Sequence, residues 1–329
     1  MSHTISRRNM IATGIASASL FVASPFKKTV HARPPGPDNN RHRDTHPGPT
    51  PIRLATRMVR EKNETPEKTV KRIRGSGYTA VNTQPSQWTD TELIDMRSVL
   101  KKYDVTVFEV GAYSNIIHPD PKKRQEILAN IVQKFEEAHK IGGPMVATVS
   151  GSCSTYLIEP HPDNWTEETW KLTVRSVRQI LKDTAGMDVS LGMEAQITTN
   201  IDGPKAHRRL IDDVGDDRCK VNLDPTNMIS LATYFHTTEL LDECFELLGE
   251  DIMGCHAKDT YVIPNVQTLH IQEVCPGKGI MDYETFLARM SRLQWPRAIF
   301  PEHIEPEEFP EADSYIKEVA SRIGVTIYD

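Results

Sequence analysis

Cysteine is scarce: the 329 residues hold five, Cys153, Cys219, Cys244, Cys255 and Cys275, and none forms a Cys-x-x-Cys pair. That excludes a disulfide framework and a cysteine-ligated zinc or dithiol site, and leaves core packing as their expected role. Basic charge is short as well, at 39 Lys and Arg against 45 Asp and Glu. The first 32 residues carry Arg7, Arg8, Lys27 and Lys28 and no acid, so the remainder has 35 basic against 45 acidic residues, about −10. An acidic chain of this kind lacks the clustered Lys and Arg on which nucleic-acid affinity depends, so no nucleic-acid partner is expected. No apolar run reaches the ~20 residues that span a bilayer, which excludes a lasting membrane anchor. The Gly-Lys-Ser/Thr phosphate loop, the Gly-x-Ser-x-Gly elbow and His-Glu-x-x-His are all missing. Gly75-Ser-Gly77-Tyr-Thr-Ala80 follows a helical pattern and enters a strand, the reverse of what a dinucleotide fingerprint needs.

What is present begins with an address. Ser6-Arg7-Arg8-Asn9-Met10-Ile11 precedes a small-residue apolar run from Ile11 to Ala23, and Val30-His31-Ala32 has the form of a cleavage site. Residues 1–32 therefore read as a twin-arginine signal peptide, with the twin-arginine export machinery as partner and a periplasmic or secreted destination. Residues 33–50 are a Pro-rich linker whose composition cannot bury enough apolar surface to order itself. A chain exported by that route would fold in the cytoplasm first.

From residue 51 to 329, eight short apolar runs alternate with eight longer segments of helical period. The strands are expected at 52–59, 79–82, 105–110, 145–149, 189–194, 220–224, 252–256 and 298–302. The helices are expected at 66–74, 90–102, 121–140, 167–184, 204–214, 238–248, 283–293 and 311–323. Thr65 before Pro66, Asp120 before Pro121 and Asp282 before Tyr283 are helix start signals. Strict alternation demands a parallel sheet, and eight units of this total length predict an α/β fold, a single (β/α)8 TIM barrel, with an open doubly wound sheet as the alternative.

Polar side chains interrupt four strand runs at their carboxyl ends: Leu191-Gly-Met-Glu194, Val221-Asn-Leu-Asp224, Met253-Gly-Cys-His256 and Ile299-Phe-Pro-Glu302. Their intervals of 30, 32 and 46 residues are each one strand-helix unit, the last lengthened by an insertion between Thr260 and Ile280. In a barrel that rim is where active sites are built. Three carboxylates converging there would repel one another unless a cation joined them. Oxygen donors with one imidazole suit one divalent metal ion, with Mn²⁺ first and Co²⁺, Mg²⁺ or Zn²⁺ as alternatives. Side-chain parity puts Gln196 with Glu194, Asn222 with Asp224 and Lys258 with His256. Glu109 and Gln84 end their strands and are candidates for the mouth, with a solvated strand end as the plainer reading. Lys258 and His303 are candidates for substrate contact. Pro276-Gly-Lys-Gly279 is either an anion cradle or a turn, and Trp88 and Tyr113 either stack on a sugar ring or pack the rim.

Gly192-Met-Glu194, Asn222-Leu-Asp224, Cys255-His256-Ala-Lys258-Asp259, Pro276-Gly-Lys-Gly279 and Pro301-Glu302-His303 together resemble the xylose isomerase-like sugar isomerase and epimerase family of barrels. The resemblance spans roughly residues 51–329. It implies a metal held by Glu194, Asp224, His256 and Glu302, and a small-molecule carbohydrate substrate. Asn227 stands where epimerase members commonly carry histidine, and Lys258 is the nearest basic residue where an arginine is often found. The expected activity is a metal-dependent sugar isomerase or epimerase that abstracts a proton next to a carbonyl through an enediolate. Glu194 and Glu302 are the acid/base pair, and Asn227, Lys258, His303, Gln196 and Glu109 are substrate-binding candidates. Because Asn227 departs from the epimerase pattern, a lyase cleaving 3-keto-glycosides by β-elimination on the same site is the alternative. A repair endonuclease and a non-catalytic sugar binder are weaker readings, and a homo-oligomer is left open.

Overall fold

Residues 50–294 and 297–328 are described by the computed structural model. The expected signal peptide, and the linker apart from its last residue, lie outside the described residues. Strands β1 (Ile52–Met58), β2 (Ala80–Thr83), β3 (Thr106–Gly111), β4 (Met145–Val149), β5 (Ser190–Glu194), β6 (Cys219–Leu223) and β7 (Ile252–Ala257) are followed by a hairpin, β8 (Asp259–Val262) and β9 (Ile271–Val274). β10 (Ala298–Pro301) and a short β11 (Ile327–Tyr328) complete the strands. Helices α1 (Pro66–Gly75), α2 (Asp90–Lys102), α3 (Pro121–Ile141), α4 (Glu167–Asp183), α5 (Pro204–Val214), α6 (Thr237–Leu248), α7 (Tyr283–Met290) and α8 (Phe309–Arg322) alternate with them. β1 to β7 pair in parallel in chain order, β10 joins β7, and β10 pairs back on β1, which closes an eight-stranded barrel. β11 lies parallel to the start of β1. The single (β/α)8 TIM barrel is the observed fold.

Local chemistry accounts for the element starts. Thr65 caps α1 by accepting from Lys68 N, with Pro66 filling the first turn, and Asp120 caps α3 through Lys122 N and Lys123 N. Asp282 caps α7 through Thr285 N. Each side chain takes up an amide that the helix itself leaves unsatisfied. The aliphatic faces of the helices meet the outward residues of the strands in one large core. Inside the barrel a separate floor is laid by Phe108, Phe300, Ala55, Ala80 and Ala298, with Met145, Ala147 and Met253 beside it. All five cysteines are free thiols, four of them buried. No helix of the described residues is long and apolar enough to cross a membrane.

The hairpin β8–β9 fills the region expected as an insertion between Thr260 and Ile280. Its strands are antiparallel, with Asp259 opposite Val274 and Val262 opposite Ile271. Two irregularities in the barrel matter for the site. The β2–β3 register shifts so that Val81 faces Val107 while Asn82 faces Glu109, and the β6–β7 register shifts so that Val221 faces Ile252 while Asn222 faces Gly254. Each inserts one extra residue into a strand, re-aiming the side chains that follow.

Candidate metal centre

The strand ends at one rim converge. Glu194 closes β5, Asp224 follows β6, His256 lies in β7 and Glu302 follows β10. One ligand atom from each lies within 4.8 Å of the others, so the cluster has the composition and spacing to hold a metal ion. Asp224 opens a short 3₁₀ turn, where its Oδ1 accepts from Thr226 N at 3.1 Å and leaves Oδ2 directed at the cluster. The His256 ring rests edge-on against Phe108 and Phe300, with centroids 6.4 and 5.7 Å away. That apolar floor excludes water from beneath the imidazole, which makes every charge above it count for more.

His256 is fully buried, and its two nitrogens face different partners. Nε2 lies 2.7 Å from Glu109 Oε2. Nδ1 lies 3.1 Å from Glu302 Oε2 and 3.4 Å from Glu194 Oε2, yet it is aligned for a hydrogen bond with neither. A buried ring nitrogen without a hydrogen bond, ringed by carboxylate oxygens, is the arrangement a cation would satisfy.

Electrostatics divide the two glutamates. Burial pushes the Glu194 carboxyl up to about 8, against His256 and with the like charges of Asp224 and Glu302. Burial also works to raise Glu302, but His256 and Lys258 outweigh it and hold that carboxyl well below the usual range. The Asp224 carboxyl is raised, chiefly by burial, while Lys258 and His256 oppose the shift. Burial opposes charge on His256 and Lys258, and the surrounding carboxylates overcome it in both.

The other residues anticipated at the mouth gather on this quartet. Asn227 Nδ2 donates to Glu194 Oε1 at 2.7 Å. Lys258 Nζ, almost wholly buried, lies 2.9 Å from both Asp224 Oδ2 and Glu302 Oε2 and donates to Asn227 Oδ1 at 3.2 Å. Gln196 Nε2 reaches Glu194 Oε1 at 3.4 Å. His303 stands at the exposed lip in the left-handed region, φ 55°, which is uncommon for a side-chain-bearing residue. Its Nδ1 is 2.9 Å from Glu273 Oε2 and its Nε2 3.8 Å from Glu302 Oε2.

Glu109 is no solvated strand end, since it is fully buried behind the imidazole. Asn82 Nδ2 donates to its Oε1 at 2.8 Å and Asn222 Nδ2 to its Oε2 at 3.3 Å. Gln84 is exposed. Tyr113 presents its hydroxyl rather than a stacking face, 3.0 Å from Glu109 Oε1 and 2.9 Å from Glu194 Oε2. Trp88 is buried beneath the Arg60 guanidinium, 4.4 Å away, and packs the rim. The glycine loop at 276–279 does cradle an anion, but it is the protein's own. Asp259 Oδ2 accepts from Gly277 N at 3.1 Å and Gly279 N at 3.0 Å, and Oδ1 from Met281 N at 2.9 Å. The sequence reading missed Glu273, which β9 brings to 3.4 Å from Lys258 Nζ. Its only signal was its place inside the insertion.

The family model described as xylose isomerase-like TIM barrel matches residues 70–322. Solved structures share the fold at low identity. The IOLI protein with a binding zinc atom is 16% identical, with TM-score 0.62, covering 83% of this chain and 98% of its own. A xylose isomerase-like TIM barrel protein from Mycobacterium smegmatis in complex with magnesium is 17% identical, with TM-score 0.59, covering 83% and 97%. The 3-keto-D-glucoside 4-epimerase YcjR from E. coli, in its apo form, is 14% identical, with TM-score 0.59, covering 83% and 99%. No curated protein matches the chain in sequence.

Proposed function

The chain belongs to the xylose isomerase-like TIM barrel family, and from that premise we propose that it is a metal-dependent sugar isomerase or epimerase working by proton abstraction next to a carbonyl. The observation that carries this reading is the convergence of Glu194, Asp224, His256 and Glu302 within 4.8 Å, with His256 Nδ1 buried and lacking a hydrogen bond. The oxygen-rich donor set suits one divalent ion, manganese first, with cobalt, magnesium or zinc as alternatives. When bound, such an ion polarises a carbonyl and its neighbouring hydroxyl and steadies the charge that develops there.

The chain's own residues supply the proton transfers. Glu302, kept ionised by His256 and Lys258, is the base that takes the proton beside the carbonyl. Glu194 is the partner carboxyl that returns one, its orientation set by Asn227 on one oxygen and Tyr113 on the other. Gln196 and His303 stand where substrate hydroxyls would meet the rim, while Asn227 and Lys258 are buried against Glu194, Asp224 and Glu302 and would reach substrate only at the quartet. The signal-like first 32 residues support export, and export favours an unphosphorylated carbohydrate as substrate.

A lyase that opens 3-keto-glycosides by β-elimination is the second reading. It is favoured by Asn227, which is engaged with Glu194 and Lys258 and offers no proton to transfer where epimerases commonly have histidine. The E. coli neighbour named for a 3-keto-D-glucoside makes such substrates sensible probes. Manganese-loaded protein incubated with ketoses and keto-glycosides in deuterated water separates the readings. Deuterium at the carbon beside the carbonyl supports the isomerase or epimerase, and an unsaturated sugar with free aglycone supports the lyase. Neither outcome across the panel contradicts both.

A further inference from the structure

We infer that Glu109 is a positioning residue, the group that makes His256 present Nδ1, and not Nε2, to the metal. The assignment rests on the metal-site reading above and deepens it.

Three observations carry it. The register shift between β2 and β3 lets two consecutive residues of β3 face the barrel interior, Phe108 into the floor and Glu109 towards the imidazole. Strict alternation would have sent one of them into the helical layer. Next, Glu109 and His256 are both fully buried and meet at 2.7 Å, a length typical of a charge-assisted hydrogen bond. A carboxylate oxygen facing a ring nitrogen accepts, so the Nε2 proton is held on that side. An imidazole ligating a metal carries one ring proton, and with that proton on Nε2 the lone pair of Nδ1 points at Glu194, Asp224 and Glu302. Finally, Glu109 is itself held: Asn82 and Tyr113 donate to Oε1 and Asn222 to Oε2. Asn82 is its direct partner across the shifted register.

Gly254 keeps this corner open. A Cβ there would sit 2.7 Å from the Phe108 ring and 3.2 Å from Asn222 Oδ1, pressing on the floor beneath His256 and on a donor to Glu109. Among the described residues, the Asn222 amide also stands near Nε2, at 3.3 Å. Without Glu109, that group would be the remaining partner to fix the ring.

The test compares full-length wild type with Glu109→Gln and Glu109→Leu, using Zn²⁺ as the probe, chelator competition for affinity and ¹⁵N NMR of the histidine ring. Partners of this kind are typically worth ~10- to 100-fold in metal affinity, and a loss in that range is expected in both variants. In Zn²⁺-loaded wild type, His256 should bind through Nδ1 and carry a low-field Nε2 proton. That resonance should move upfield in the Gln variant, a change that a purely structural role would not produce. If the Leu variant does not fold, the Gln variant and the wild-type spectrum still decide. Wild-type affinity in a folded Gln variant, or zinc on Nε2 in the wild type, overturns the assignment alone. Failure of wild type to bind Zn²⁺ overturns the metal reading and this inference with it.

Discussion

Lys258 Nζ lies 2.9 Å from Glu302 Oε2, and the same ammonium lies 2.9 Å from Asp224 Oδ2. A buried cation therefore already stands against two of the four donors, and it enters the barrel two residues after the histidine of the same quartet.

That placement gives the first expectation. In Lys258→Met, Asp224 and Glu302 lose their shared positive partner and repel each other, so the metal-free protein should melt at a lower temperature than wild type. A divalent ion then has more repulsion to relieve. The rise in melting temperature on adding saturating Mn²⁺ should be larger in the variant than in wild type. A smaller rise would show that Lys258 supports the ion rather than substituting for part of its charge.

Glu302→Gln removes the proposed base while leaving a side chain of the same shape. Deuterium incorporation or product formation should fall by about 10²- to 10⁴-fold, with an unchanged far-UV spectrum. Turnover within a factor of a few of wild type would take Glu302 off the list of groups that move protons.

Asp259 holds the hairpin and the glycine loop together through the amides of Thr260, Gly277, Gly279 and Met281. In Asp259→Ala those donors lose their acceptor, and at ~1–3 kcal/mol for each buried group left unsatisfied a total loss of about 3 kcal/mol is expected in urea unfolding. A change below ~0.5 kcal/mol would mean that the loop finds other partners.

Much of this was legible in the sequence, and the reasons are local. Asp90–Lys102, Met145–Val149 and Pro204–Val214 have the expected bounds; the Thr89–Glu92 capping box fixes the start of the first helix, and Pro204 and Gly215 bracket the second. The quartet was legible because each acid or imidazole breaks an apolar run at the same point of its unit. The burial of Glu109 was missed because its face depends on a bulge, and a register shift leaves no mark in a period-two pattern. Glu273 was hidden because β9 reads Ile-Gln-Glu-Val, without the apolar continuity of a barrel strand. The role of Asp259 follows from backbone amides up to 22 residues away, which no spacing rule would connect.

His207 gives a pH expectation away from the centre. It is buried on α5 with Nε2 lacking a partner, and burial, aided by Arg208, lowers its pKa from 6.5 to about 4. Above pH 6.5 the ring is neutral in both folded and unfolded chains, so it adds no pH dependence there. Between 6.5 and 4 only the unfolded chain takes the proton, so folding stability falls with pH, by a total on the order of 3 kcal/mol. His207→Leu should flatten that part of the stability profile, and an unchanged slope would contradict the assignment.

The central claim is that Glu194, Asp224, His256 and Glu302 together hold one divalent ion, and equilibrium dialysis of the full chain against Mn²⁺, with wild type beside His256→Ala, tests it most directly. The account predicts one ion per chain for wild type and a loss of that binding in a folded variant. No bound ion in wild type, or equal binding in the two proteins, would contradict it.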